Sequence, residues 1–339
     1  MSTVLVTGGA GYFGSILTDL ALARGDRVRV LDLNAPASRD GVDVIVGDVR
    51  DLDAVRAACD GVDVVLNNVA QVPLAKDRDL FWSVNVGGTA NVLVAARDAR
   101  VRKVVHTSSS AIFGIPDANP VTESTPPKPL EAYGRAKAEA EALCRDAAST
   151  GLDVSIVRPR TILGHGRLGI MAVLFELVAA GAPVFVMGSG DNRYQLVHAD
   201  DLADAILRAG AHAGPATYNI GATDFGTMRQ TLDSLCDHAA TGSRVRSLPV
   251  APARWGMHAL STVGLAPFAP YHWLLYSESL WFDTTKAQSE LDWHPAHSNA
   301  SMVAESYDWF LVHRGESSDG ASHHQSPVPL GVLKLLRRL

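Results

Sequence analysis

Short apolar runs and helically periodic stretches alternate through the first half of the chain. Runs rich in Val, Ile and Leu occur at Thr3–Val6, Arg27–Leu31, Val42–Val46, Val62–Leu66, Lys103–Thr107 and Asp153–Val157, and these read as strands. Between them, Ser15–Arg24, Asp53–Cys59 and Val86–Ala99 carry apolar residues at helical spacing. Nearly continuous apolar strands are expected where a sheet is buried on both faces. The pattern therefore predicts an α/β fold of the Rossmann type, a doubly wound parallel sheet covered by helices.

Beyond Arg158-Pro159 the regularity loosens. Helical stretches at Ile170–Ala180, Ala199–Ala211 and Thr227–Ala240 mix with extended pieces at Val184–Val186 and Tyr218–Ile220, and residues 245–275 are irregular and rich in Trp, His and Pro. This predicts a Rossmann domain over residues 1–158, with segments near 194–222 and 275–286 returning to it. A smaller α+β substrate lobe occupies 159–314, followed by a linker and tail over 315–339. The tail ends in PVPLGVLKLLRRL, where Val332, Leu333, Leu335, Leu336 and Leu339 share one side of a helical wheel and Lys334, Arg337 and Arg338 the other. Such a helix suits weak contact of residues 328–339 with an anionic membrane surface; a frayed tail or a subunit contact is the plainer alternative.

Composition narrows the function classes. With 47% hydrophobic and 19% charged residues, the 339-residue chain can bury a sizeable core. A net charge of -6 and a pI near 6.0 argue against a nucleic-acid partner. Cys59, Cys144 and Cys236 lie far apart, and neither they nor His294, His297, His323 and His324 form a metal-ligand framework, so no metal is expected. Sparse cysteines fit a reducing compartment. The chain enters a strand at once, without a secretory leader pattern, and has no run of the ~20 apolar residues that span a bilayer. A cytoplasmic protein is the expectation, with the inner membrane face as the place of any peripheral contact by the tail.

The first strand runs into TGGAGYFG and then a helix. Gly8, Gly11 and Gly14 permit a tight turn, let backbone amides approach a pyrophosphate, and let the helix pack closely on the strand; the helix N-terminus adds positive potential. The second strand ends in Asp32, whose carboxylate would accept hydrogen bonds from an adenosine ribose and repel a 2′-phosphate, favouring NAD over NADP. Asp48-Val49, after the third strand, could reach the adenine amine, although Asp48, Asp51 and Asp53 are all candidates to cap the next helix.

Chemistry is suggested by HTSSSAIFG (106–114), which closes a strand, and by Tyr133-Gly134-Arg135-Ala136-Lys137 some twenty residues later. The four-residue spacing puts Tyr133 and Lys137 on one helix face. Free tyrosine, titrating near pH 10, is a poor base, and a neighbouring ammonium favours the phenolate. Tyr133 could then take the proton of an alcohol as hydride leaves the carbon, with a serine holding the oxygen.

From residue 3 to about 313 the chain resembles the extended short-chain dehydrogenase/reductase family, also called the NAD-dependent epimerase/dehydratase family. The matching pieces are TGGAGYFG, Asp32, GDVRD (47–51), SVNVGGTANVL (83–93), SSSAIFG, YGRAK, RPRTILG (158–164), YNIGA (218–222) and FDTTKAQSELDW (282–293). The resemblance implies NAD as cofactor and Ser109, Tyr133 and Lys137 as catalytic residues, with Ser108 and Ser110 one register step either side of Ser109. It places Tyr12, Phe13, Val69, Ala70, Asn85 and Arg158 beside the cofactor with the glycines, Asp32, Asp48, Val49, Tyr133 and Lys137. It also implies a small-molecule substrate and a homodimer through paired helices, one of them that of Tyr133.

Two departures bear on the substrate. NNVAQVP (67–73) replaces the short Ala/Gly-rich segment of nucleotide-sugar members and puts Gln71 near the pocket. GSGDNRYQLVHADD (188–201) lacks the arginine of an RDYIHV-type strand and looks closer to the 3β-hydroxysteroid dehydrogenase branch; Arg193 is the remaining candidate there for a phosphate. Ser110, Arg160, Thr161, His165 and Arg167 should border the substrate, the arginines either pairing with an anion or standing solvated. Asn85 and Arg158 also suit structural roles at element ends. His198 reads as a structural histidine, and Asp200-Asp201 as the N-cap of a helix Leu202–Ala209. Three functions are compatible with the sequence: an epimerase or dehydratase of nucleotide-linked sugars, a net dehydrogenase of an alicyclic or sterol-like alcohol, and a non-catalytic NAD-binding regulator. The intact triad counts against the last.

Overall fold

The computed structural model describes residues 1–36, 38–71, 78–167, 171–252, 255 and 276–314. Its main sheet is wholly parallel. In chain order the strands are β1 (Thr3–Thr7), β2 (Arg27–Asp32), β3 (Val42–Val46), β4 (Val64–Asn67), β5 (Lys103–Thr107), β6 (Val154–Pro159) and, after two lobe excursions, β10 (Ala216–Ile220). In space they run β10-β6-β5-β4-β1-β2-β3. The order reverses between β1 and β4, the place where open α/β sheets bind ligands outside their carboxyl ends.

Residue alternation along the strands fills two separate cores. Val4, Val6, Val28, Val30, Leu66, Val105 and Val157 pack under α1 (Tyr12–Ala23) and α7 (Ala199–Ala211). Leu5, Leu31, Val65, Val104, Val154 and Ile156 pack under α2 (Leu52–Cys59), α4 (Thr89–Asp98) and α5 (Ala132–Ser149). The edge strand β3 escapes the expected two-sided burial, and Val46 at its end is 61% exposed. The helix read from Val86 starts earlier: α3 (Arg78–Phe81) passes through a π turn (Trp82–Gly88) into α4. A π insertion leaves little trace in hydrophobic periodicity, and such turns recur at functional sites.

The second half builds a lobe over the carboxyl end of the sheet. Two parallel pairs form there: β7 (Thr161–Leu163) with β9 (Leu196–His198), and β8 (Val184–Met187) with β11 (Val245–Leu248). Between and around them lie α6 (Met171–Ala179), α8 (Met228–Ala239), α9 (Thr285–Leu291) and α10 (Asn299–Val312). Phe175, Val178, Leu235, Met302, Tyr307 and Phe310 form the lobe's own core. Among the described residues no helix is long and apolar enough to cross a membrane. The amphipathic tail and residues 253–254 and 256–275 of the Trp/His-rich stretch lie outside the described residues, while the stretch read as irregular from 245 opens on the strand β11.

Candidate active site

The glycine turn has the geometry that a bound pyrophosphate needs. Gly8 takes φ +73°, and a Cβ there would stand 3.1 Å from the Val69 Cα; one on Gly14 would stand 2.0 Å from the Gly8 carbonyl oxygen. A side chain at either position would clash with backbone of the turn or of Val69, so only glycine fits there. Gly11 caps α1 with no side-chain acceptor, leaving the first-turn amides of Tyr12 and Phe13 for an anion. Asp32 lies beneath: its carboxylate accepts from the Ala10 amide at 3.0 Å and the Asn34 amide at 3.0 Å. Each oxygen keeps lone-pair capacity for a ribose hydroxyl.

Around this turn, several expected residues have defined neighbours. The cap of α2 is Asp51, which accepts from the Asp53 and Ala54 amides. Asp48 instead faces Arg50, whose hydrogen bonds hold its carboxyl below the usual range. Val49 is buried against Gly88. Asn85, in the π turn, clasps the backbone of Gln71, accepting from its N–H at 2.9 Å and donating to its carbonyl at 3.2 Å. Ala70, between the two contacts at Val69 and Gln71, is half-buried.

Beneath the cleft runs a polar chain that sequence reasoning missed. Thr7 Oγ1 accepts from the Asn68 and Val69 amides and donates to Asn67 Oδ1 at 3.0 Å. Thr89 Oγ1 donates to the Asn85 carbonyl at 2.7 Å and accepts from Asn67 Nδ2 at 3.3 Å. The other proton of Asn67 Nδ2 is directed at His106 Nδ1, 3.1 Å away. Each bond fixes the direction of the next, so His106 is the Nε2–H tautomer. Its burial and nearby Lys137 push its pKa well below the ordinary histidine value, keeping it neutral.

The candidate triad is assembled by α5. Glu131 caps this helix, accepting from the Tyr133 amide at 3.0 Å and the Gly134 amide at 2.9 Å. Tyr133 is half-buried and meets Phe81 edge-on, with ring centroids 6.3 Å apart. One turn on, buried Lys137 donates from Nζ to the Thr107 carbonyl at 2.8 Å. Burial draws its pKa down to about 8 against the opposing pull of Glu141. Gly134 brings this helix onto the short 3-10 turn Ser110–Phe113: a Cβ there would stand 2.5 Å from the Ala111 carbonyl oxygen. That turn starts from Ser109, which is half-buried and accepts from the Ala111 amide at 3.2 Å. Its neighbours are buried and committed, Ser108 donating to Glu141 at 2.6 Å and Ser110 accepting from Arg160 at 2.9 Å.

Behind the triad, Glu141 is fully buried on the same face of α5. Arg158 grips it through Nε at 2.8 Å and Nη2 at 2.7 Å, and turns Nη1 to the Glu123 carbonyl at 3.1 Å. The Arg158 side chain therefore braces α5 against β6, the structural role its place at a strand end suited. Glu141 stays ionised because Arg158, Ser108 and Arg145 outweigh the effect of burial. A carboxylate at the next helical turn after Tyr133 and Lys137 was the available sequence signal for it.

On the lobe side, Arg160 is 2% exposed, with its guanidinium 5.4 Å from the Tyr194 ring and 5.6 Å from the Phe282 ring. It is not solvated, which removes one of the two readings its sequence allowed. Thr161 Oγ1 lies 3.1 Å from the Tyr194 hydroxyl. Arg193 is exposed, with its guanidinium 4.6 Å from the Phe225 ring and 4.5 Å from the Trp281 ring. Arg167 lies over the Tyr12 ring at 5.6 Å.

His165, His198 and Glu305 place ligand-type atoms within 4.8 Å of one another. His198 Nδ1, however, accepts from the Asp200 amide at 3.2 Å, so Nε2 carries the proton and faces Glu305 Oε2, also 3.2 Å away. An N–H stands where an ion would need a lone pair. That same bond makes His198 the cap of α7, correcting the expectation for Asp200-Asp201. Asp201 is buried and receives the Ala296 and His297 amides.

The model of the NAD dependent epimerase/dehydratase family matches residues 4–221. The uncharacterized protein y4nG of Sinorhizobium fredii (strain NBRC 101917 / NGR234) is 48% identical over 99% of this chain and 86% of its own. A UDP-glucose 4-epimerase of Mycolicibacterium smegmatis (strain ATCC 700084 / mc(2)155) is 31% identical over 90% of this chain and 97% of its own. Among solved structures, MoeE5 in complex with UDP-glucuronic acid and NAD superposes with a TM-score of 0.73 at 25% identity, covering 91% of this chain and 99% of that one. With a family model matching residues 4–221 and a relative 31% identical over 90% of its length, the chain belongs to the NAD-dependent epimerase/dehydratase family of extended short-chain dehydrogenases/reductases.

Proposed function

We propose that the protein is an epimerase or dehydratase of a nucleotide-linked sugar, working by hydride abstraction from a carbinol carbon. The observation that carries this is the close seat of Gly134 on Ala111, which brings the Tyr133–Lys137 face of α5 against the turn that begins at Ser109. Tyr133, as phenolate, takes the hydroxyl proton of the carbinol. Ser109 donates to the same oxygen and holds it in line. Lys137, fixed by the Thr107 carbonyl, supplies positive charge beneath the phenol. Bound NAD would accept the hydride and return it to the same substrate.

A second reading is a net dehydrogenase of an alicyclic alcohol, resembling 3β-hydroxysteroid dehydrogenases. It is favoured by the state of Arg160, which is buried with Ser110 and does not stand open for a diphosphate, leaving exposed Arg193 as the remaining lobe arginine for one. Incubation with UDP-glucose and UDP-galactose separates the two. Interconversion without net NADH release supports the epimerase, whereas NADH release from an alicyclic alcohol, with no sugar turnover, supports the dehydrogenase. Tyr133→Phe should abolish either reaction and leave NAD binding nearly intact; full activity in that variant removes Tyr133 from the chemistry.

A further inference from the structure

Arg167 stands at the end of a loop whose course two glycines fix, Gly164 at φ +140° and Gly166 at φ +76°. A Cβ on Gly164 would lie 2.9 Å from His198 Nε2, and one on Gly166 would lie 3.5 Å from the Tyr12 ring. The loop is thus laid against the end of β9 and against the glycine turn itself. Its guanidinium comes to rest 5.6 Å from the centroid of the Tyr12 ring, at the start of α1. Tyr133 lies within electrostatic reach of the same charge, so Arg167 neighbours the glycine turn and the candidate catalytic tyrosine alike.

Among the described residues no carboxylate pairs with Arg167, in contrast to Arg158 and its bidentate Glu141. The first turn of α1 also carries no acidic residue. Two sources of positive potential, a guanidinium and a helix N-terminus, thus lie close together; the carboxylates of Asp200 and Glu305 act on Tyr12 from nearby, but among the described residues neither pairs with Arg167. An anion from outside the chain would satisfy both.

We propose that Arg167 binds a diphosphate across the cleft from the N-terminus of α1. Two molecules could bring that group: the NAD cofactor, and, on the nucleotide-sugar reading above, the substrate. The position over Tyr12, next to Gly11, favours the cofactor's pyrophosphate. Arg167 then completes from the lobe side what the glycine turn begins from the sheet side, and couples cofactor binding to the lobe.

The test is calorimetric titration of the full-length protein, freed of bound nucleotide, with NAD, ADP-ribose, adenosine and UDP. Arg167→Gln should weaken NAD and ADP-ribose by roughly 10- to 100-fold, the value of a charge-assisted hydrogen-bonded pair. Arg167→Lys should fall between, because an ammonium lacks the planar fork. Adenosine, which has no phosphate, should be unaffected. Loss confined to UDP assigns the diphosphate to the substrate and overturns the cofactor assignment. Unchanged binding of all four, or an equal loss for adenosine and ADP-ribose, overturns the proposal. These arms do not depend on which reaction the enzyme performs, since a net dehydrogenase would give the same NAD and ADP-ribose results.

Discussion

Lys137 extends its ammonium 2.8 Å to the carbonyl oxygen of Thr107, one helical turn below Tyr133 and out of reach of bulk water. The β5 terminus thereby sets the height of the charge beneath the phenol. Because the contact is to backbone, it survives changes in neighbouring side chains.

The pH dependence of stability follows from this burial. Lys137 releases its proton at about 8 in the folded protein and at the ordinary 10.5 when unfolded. Between those values the unfolded chain binds more protons, so this group's contribution makes stability rise with pH across the window. At neutral pH the buried ammonium costs on the order of 3 kcal/mol. Lys137→Met should therefore be more stable than the parent near neutrality and lose that advantage as pH climbs through the window. Denaturant midpoints at several pH values measure it, and a constant difference would contradict the assignment.

Gly134 should resist substitution for a steric reason. In an ordinary helix, Gly→Ala stabilises by roughly 0.5–1 kcal/mol. Here the added Cβ would meet the Ala111 carbonyl at 2.5 Å. Gly134→Ala should instead destabilise by about 1–3 kcal/mol and push Tyr133 off its seat, cutting turnover by on the order of 100-fold. Turnover and melting temperature report the two effects separately.

The Glu141–Arg158 pair is a support whose removal should show in stability first. Glu141→Gln leaves a buried guanidinium without its counter-charge, at a cost of roughly 3–5 kcal/mol. A double variant, Glu141→Leu with Arg158→Met, should cost less than that single change, because no charge remains to be desolvated. Urea denaturation of the parent and the two variants decides it; a double variant less stable than Glu141→Gln argues against direct coupling.

The proposed role of Asp32 is to set the dinucleotide preference. Replacing it with Ser removes the charge that repels a 2′-phosphate, and the NAD-over-NADP preference should fall by about tenfold or more. NAD affinity itself should drop less than the preference. Tighter binding of NADP than NAD by the unaltered protein would refute the role.

The parallel sheet, the glycine turn, Asp32 and the Tyr133–Lys137 face were all legible in the chain, because each is a local pattern: strand periodicity, three glycines between strand and helix, one helical turn. The resemblance pointed to Ser109, but the engagement of its neighbours was not legible, since it depends on Glu141 and Arg160 arriving from other elements to occupy Ser108 and Ser110. Nor was the state of His106, whose tautomer is set by a chain of bonds running from Thr7 through Asn67. Arg158 and Arg160 look equivalent in sequence, two apart around a proline. Only packing turns one to a buried carboxylate and the other between aromatic rings. The sequence by itself determined the sheet and the spacing of the catalytic groups, because short-range sterics and periodicity act along the backbone. Which polar atoms face the cleft was decided by the tertiary structure, because hydrogen-bond partners and desolvation come from residues distant in the chain.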